Sequence, residues 1–257
     1  MAMSRGETFF RRSSWEQAQN ESTGYEEPDL VAALTGRAQL ERSWEKVNEK
    51  FYLQAREIEL LNALQMVALL SGSPKTLDVA DVGGGNGYMA AVARQYMTMQ
   101  QFQWTVFESN AIANAYQSLE PEDVSWRENR VQNYDHQFDV GVVSCALNYF
   151  ARPYDQLEFL STRNRYLIAM RLPLVPEIED IATIQRPDEG IYSTVSAQWP
   201  SWFLSSFRLD ACLARIGEVL YRWSSPTEIW QFEGKPIMLE GVLLRTHEDR
   251  TSGNRVH

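Results

Sequence analysis

Between Trp44 and Leu70 the apolar positions Trp44, Val47, Phe51, Ile58, Leu61 and Leu64 fall at steps of three, four and seven. That spacing predicts one face of a long helix over 44–70, stopped by Ser71, Gly72 and Pro74. Beyond it the pattern alternates between short apolar runs and helical periods. "KTLDVADV" reads as a strand, "GYMAAVARQYM" as a helix, "FQWTVFES" as a second strand and "NAIANAYQSL" as a short helix. "VSWRE" and "FDVGVVSCAL" give a third and fourth strand, "PYDQLEFLS" a helix and "RYLIAM" a fifth strand. Strands separated by helical segments imply right-handed crossovers and a parallel sheet covered on both faces.

The alternation breaks after Met170. Residues 171–199 contain Pro173, Pro176, Pro187 and Gly190 without firm periodicity, which predicts an irregular insertion serving as lid or substrate wall. A helix is expected at "SWFLSSFRLDACLARIG", followed by two strands, "EVLYRWSS" and "IMLEGVLLRT". The first 43 residues mix Phe9, Phe10, Trp15 and Tyr25 with Gly24 and Pro28, and read as short helices and turns on a larger body. The expected organisation is a helical cap over 1–72, an α/β domain over 73–246 and a polar tail over 247–257.

Composition narrows the chemistry. An apolar content of 44% suits a packed globule. With 24 basic and 34 acidic residues the net charge is −10, which speaks against gripping a nucleic-acid backbone. Cys145 and Cys212 form neither a disulfide framework nor a zinc spacing. No apolar run is long enough to span a membrane, and "MAMSRGETFFRRSSWEQ" lacks a signal-peptide core, so a cytoplasmic location is expected.

The stretch "TLDVADVGGGNGYMA" runs from a strand into glycines and then a helix, placing bare backbone N–H groups beside a helix N-terminus. Gly85, Gly87 and Ala90 satisfy the dinucleotide pattern G-x-G-x-x-A, and Glu108 stands at the end of the second strand. Asp81, Gly83, Gly85 and Gly87 also satisfy D-x-G-x-G-x-G. A carboxylate just ahead of the cradle repels a pyrophosphate and welcomes a primary ammonium, which favours S-adenosylmethionine (SAM). Glu108 is then expected to accept hydrogen bonds from the ribose hydroxyls. Glu128 and Asn129, at the end of the third strand, fall where an adenine ring would end, and an ordinary polar turn explains them nearly as well. Ser144, at the end of the fourth strand, is placed with the cofactor.

This order of strand, acid, glycines and second acid resembles the class I SAM-dependent methyltransferases over Thr76 to Thr246. Nearly the whole chain is also similar to a family of bacterial methyltransferases loosely associated with surface-polysaccharide genes. That similarity lies in "SWEQA", "GYEEP", "GGGNG", "WTVFES", "SCALNYFARPYDQL" and "QWPSWF". The resemblance implies a Rossmann-like α/β fold: a mostly parallel seven-stranded sheet, helices on both faces, and an N-terminal helical cap over bound SAM.

Methyl transfer depends mainly on holding the acceptor in line, with a base needed only where a proton must leave. The fourth strand ends in Ser144–Tyr149 without a [DN]-P-P-[YF] tetrad and without an acid, so neither the amino-methylating pattern nor a Mg²⁺ site is expected. Cys145 reads as small core rather than nucleophile. Asn148 and Tyr149 either orient an acceptor hydroxyl or cap the next helix. Arg171 either neutralises an anionic acceptor or forms a rim salt bridge. His136, His247 and His257 lie away from the expected site, which leaves a carboxylate, a tyrosine or water as base. The insertion supplies Glu177, Glu179, Asp180, Asp188, Glu189 and Tyr192 as candidates. The aromatic segments "WEQAQNESTGY" and "QWPSWF" either wall a sugar or flat ring or simply pack.

The expected activity is SAM-dependent methyl transfer to a hydroxyl of a small-molecule or glycan acceptor, without a metal. Oligomeric state is left open, a homodimer included. The rivals are an NAD-type oxidoreductase, resting on Gly85, Gly87 and Ala90, and a non-catalytic SAM-binding subunit.

Overall fold

The structure is a computed structural model describing residues 8–45, 53–117, 124–128, 135–186 and 197–247. The N-terminal part holds a short strand β1 (Phe9–Arg11) and helices α1 (Trp15–Asn20), α2 (Pro28–Glu45) and α3 (Ala55–Leu70). The helix expected over 44–70 is thus α3 from Ala55, opened by a capping box between Gln54 and Glu57. Val47 and Phe51 lie outside the described residues. The buried stripe is Glu57, Leu60, Ala63, Leu64, Val67 and Ala68; of the expected face Leu64 lies in it and Leu61 packs beside it, while Ile58 is 46% exposed. Both registers have helical spacing. Packing against the sheet residues Val79, Val106, Val140 and Ile168 selects this one.

The central layer then builds as β2 (Thr76–Val82), α4 (Tyr88–Tyr96), β3 (Gln101–Glu108), α5 (Asn110–Gln117) and β4 (Val124–Glu128). It continues with β5 (Phe138–Ser144), α6 (Pro153–Arg163) and β6 (Asn164–Val175). These five strands are parallel and stand in the order β4-β3-β2-β5-β6. Alternate residues of β2 feed two cores: Leu77 and Val79 pack under α3, α4 and α5, and Ala80 and Val82 under α6 and α7 (Ser206–Ile216). Helices therefore cover both faces.

The expected seven-stranded sheet needs correction. It is a mixed sheet of ten strands, completed by β7 (Ile181–Gln185), β8 (Trp199–Ser205), β9 (Gly217–Phe232) and β10 (Lys235–Thr246). β10 inserts antiparallel between β6 and β9. β6 also runs past Met170 to Val175, where it pairs with β8, and β8, β7 and β1 extend the sheet as an arm. The segment read as an irregular insertion thus contains strand, and "SWFLS" ends β8 rather than beginning a helix. Ser205 marks the switch, since its side chain accepts from Arg208 N–H and caps α7. In β7 four successive residues, Ile181 to Ile184, are buried, so it lacks the alternation that reveals a strand covered on one face. Among the described residues no helix is long and apolar enough to cross a membrane.

Candidate functional site

β2 stands between β3, reached by one crossover, and β5, reached by a crossover in the other direction. A doubly wound sheet opens a crevice where its strand order reverses, outside the carboxyl ends of the strands. The loop Gly83–Gly87 leaves β2 at that crevice. Gly83 (φ 72), Gly85 (φ 58) and Gly87 (φ 74) are left-handed, and Gly87 caps α4 in that conformation. A Cβ on Gly83 would lie 2.4 Å from Cβ of Ala146, and one on Gly84 would lie 2.3 Å from Oδ2 of Asp81. A Cβ on Gly85 would meet nothing within 4 Å. The first two glycines are required by the protein's own packing, and Gly85 is bare toward open space.

Asp81 is 1% exposed and lies behind Gly84 rather than on the surface of the crevice. Its Oδ2 accepts the Trp104 indole N–H at 3.0 Å. Burial pushes its pKa up to about 7, against the lowering effect of the indole and with a smaller upward push from Glu108. Glu108 spans the turn: Oε1 accepts Gly85 N–H at 2.9 Å and Oε2 accepts Ser109 N–H at 3.1 Å. Its pKa is raised by burial and partly restored by those two bonds. Glu128 is exposed and stands beside Glu108 in the strand register, while Asn129 falls outside the described residues.

A cavity of about 400 Å³ opens here, within the size range of small-molecule sites. Its floor is Gly83, Glu108, Ser109, Cys145 and Ala146, from the ends of β2, β3 and β5. Trp15, Gln19 and Ser22, from α1 and the turn after it, form one wall; Tyr25, Tyr149, Phe150 and Trp199 form the other. Ser109 Oγ is buried there with no hydrogen-bond partner. Gln19 and Ser22 belong to the segment "WEQAQNESTGY", one of the two aromatic segments weighed as a wall, and that segment does line the cavity. Ser109 escaped the sequence reading because it looks like an ordinary polar residue; its one signal was its position directly after the strand-end acid.

Parallel pairing of β5 with β6 ends at Ser144 opposite Met170, and the next residue on each strand, Cys145 (φ 52) and Arg171 (φ 58), is left-handed. Two such residues side by side store backbone strain at the edge of the cavity. The Arg171 guanidinium donates to Glu228 at 2.7 Å. Burial pulls its pKa down, but Cys145 and Glu228 more than offset this and hold it raised. Arg171 therefore forms the salt bridge rather than lining the cavity. Asn148 is fully buried and donates to Ser201 Oγ at 3.0 Å, and Ser144 Oγ is buried without a partner; neither residue lines the cavity. Tyr149 does line it, and its hydroxyl donates to Gln185 at 2.7 Å. Burial, followed by the influence of Cys145, holds this phenol well above its usual pKa.

Of the carboxylates weighed as bases, Asp180 is taken by Tyr154, by Ser205 N–H and by Arg208, and Glu179 pairs with Arg208. Asp188, Glu189 and Tyr192 lie outside the described residues. His136 sits against Asp78 at 2.5 Å, near the opposite end of β2. No cluster of His, Cys, Asp and Glu among the described residues is arranged to hold a metal ion.

No protein-family model matches the sequence, and no curated protein matches it. Among solved structures the fold is similar to human N-acetylserotonin methyltransferase in complex with SAM, at 12% identity over 84% of this chain and 56% of that one, TM-score 0.49. It is also similar to magnesium protoporphyrin IX methyltransferase from Synechocystis PCC 6803 with bound SAH, at 10% identity over 77% and 92%, TM-score 0.46. A third likeness is to the CcbJ methyltransferase from Streptomyces caelestis, at 10% identity over 72% and 89%, TM-score 0.47.

Proposed function

We propose that the protein is a SAM-dependent methyltransferase acting on a hydroxyl of a small molecule. The observation that carries this reading is the left-handed glycine turn set between two carboxylates, Asp81 behind Gly84 and Glu108 bonded across to Gly85. Negative charge on Glu108, joined by Asp81 when it ionises above about pH 7, favours a ligand with an ammonium and a sulfonium over one with a pyrophosphate. The Gly85 N–H that a phosphate would need already donates to Glu108. A dinucleotide is the poorer fit.

The residues suit the cofactor in detail. Glu108 keeps lone pairs beyond its two backbone bonds for ribose hydroxyls, and the orphaned Ser109 hydroxyl stands beside it as a further partner. Gly85, open above its backbone, lets a ligand approach without meeting a Cβ. Asp81 acts from behind the bare loop, through its field and by holding the turn. Glu128 and Ser144 are assigned peripheral places at the strand ends. When bound, SAM supplies an electrophilic methyl group.

On the acceptor side, Tyr149 remains a phenol and does not act as a base. Its hydroxyl donates to Gln185 and has Asn148 and Trp199 as further hydrogen-bonding neighbours, so it shapes the acceptor side rather than exchanging protons. Asn148, anchored on Ser201, positions Tyr149 directly from within the core. Rate enhancement would come from holding the acceptor in line within the cavity, with its proton passing to water.

Calorimetry with SAM, its demethylated product SAH, and NAD tests the reading. Heat from SAH and none from NAD is expected; silence with both SAM and SAH overturns the proposal. Tight SAH binding without methyl transfer to any hydroxylic acceptor would instead favour the non-catalytic subunit.

A further inference from the structure

The cavity wall away from the glycine turn is built from aromatic faces. Tyr25 lies 4.8 Å from Trp199 and 5.6 Å from Tyr149, ring centroid to centroid, and the rings are tilted against one another. Trp15 on the other wall stacks on Trp202 at 5.1 Å. Four hydrogen-bond donors of these walls are committed within the protein. Trp15 Nε1 donates to Gln19, Ser22 Oγ to the Ala18 carbonyl, and both Trp199 Nε1 and the Tyr149 hydroxyl to Gln185.

Three acceptor chemistries meet this wall differently. An anion needs a cation, and among the described residues lining the cavity none is Lys, Arg or His. Arg171, the sequence candidate for that role, is held by Glu228, and Arg152, next to the lining residue Ala151, is exposed to solvent beside Asp155. A sugar needs a hydrogen-bond partner for each buried hydroxyl, and these walls have little left to offer. An uncharged flat ring needs only faces to stack on.

We propose that the Tyr25–Trp199–Tyr149 corner is the acceptor subsite, and that it takes a neutral planar aromatic ring of the phenol class rather than a glycan or an anionic sugar acid. The inference deepens the methyl-transfer reading and rests on it for the word acceptor, although the ring-binding corner stands on its own geometry.

The test is binding to the full-length protein, saturated with SAH, of three probes: 2-naphthol, 2-naphthyl phosphate and methyl β-D-glucopyranoside. Tryptophan emission is followed, with calorimetry as confirmation. The expected result is saturable binding of 2-naphthol, at least tenfold tighter than its phosphate, with no binding of the glucoside. Tyr25→Leu should weaken 2-naphthol at least fivefold, and Tyr25→Phe, which keeps the ring, should restore it. Equal or tighter binding of the phosphate, preference for the glucoside, or an unchanged affinity in Tyr25→Leu would each overturn the inference. SAH heat without naphthol binding refutes this subsite and leaves the methyltransferase reading intact. Naphthol binding without SAH heat does the reverse.

Discussion

Trp104 donates its indole N–H to Asp81 across 3.0 Å, and both residues are sealed from solvent behind Gly84. They sit among Val79, Val106 and Ala90, so the indole is what makes a carboxylate tolerable in an apolar layer. Trp104→Phe keeps most of the ring volume and removes the donor. It should lower stability by about 1–3 kcal/mol, read as an earlier denaturant midpoint with an unchanged slope. The same substitution in an Asp81→Asn background should cost less, because no buried charge is then left without its donor.

The elevated pKa of Asp81 makes stability depend on pH with a definite sign. A carboxylic acid whose folded pKa lies above its unfolded value binds more protons in the folded state between the two. Stability therefore falls as pH rises from about 4 to about 7, by at most about 4 kcal/mol for this group. Asp81→Asn removes the penalty. It should melt above the parent at pH 8 and lose that advantage near pH 4, while binding SAH more weakly at pH 8. Parallel melting curves across that range would refute the assignment.

Gly84 and Gly85 are adjacent and should behave differently as alanines. A methyl on Gly84 collides with the Asp81 carboxylate and must push it into the core, which should cost about 3 kcal/mol or more and abolish SAH binding. A methyl on Gly85 has room and pays only for its left-handed backbone, about 1–2 kcal/mol. Thermal melting of the two variants orders them.

Glu108 offers the cleanest test of cofactor placement, because it stands at the cavity floor and its removal opens no core. Glu108→Gln keeps an oxygen for the Gly85 N–H and removes the charge. SAH affinity should fall tenfold or more, about 1.4 kcal/mol, by calorimetry, with a modest drop in melting temperature because the Ser109 N–H loses its acceptor.

Strand β2, its glycine turn and the acid at the end of β3 were legible in the sequence because each rests on local chemistry: an apolar run, left-handed turns and a strand-end carboxylate. The arm β1-β7-β8 was not, because its pairing is long-range and Ile181–Ile184 is buried throughout, which erases the alternation of a strand covered on one face. The face of α3 was legible at Leu64 but not at Ile58 for a related reason: spacing defines the stripe, and the partner chooses its register. Among the site residues, Tyr149 was placed at the cavity, whereas Asn148 and Arg171 were not. Sequence position at a strand end does not show whether a side chain turns toward the crevice or into the protein. For Arg171 the decision lies with Glu228, which is 57 residues away in sequence.

That pair yields a prediction of its own. Arg171 and Glu228 are 21% and 18% exposed, and Arg171 holds a left-handed backbone in the interior of β6. Removing one partner leaves a largely desolvated charge. Glu228→Gln should therefore destabilise the protein by about 1–3 kcal/mol, with Arg171→Met similar or slightly worse. The double variant Arg171→Met/Glu228→Leu removes both charges and should recover most of the loss, because an apolar pair of similar volume avoids the desolvation altogether. The alternative is that Arg171 is held chiefly for its backbone, where the bulge between Glu240 and Val242 lets β6 turn toward β8. Arg171→Gly then separates the two causes: it relieves the left-handed strain but loses the ion pair, so net stabilisation would show that the strain outweighs the pair. Destabilisation by Arg171→Gly, together with recovery in the double apolar variant, would show that charge pairing across the β9–β10 hairpin is what fixes this edge of the cavity.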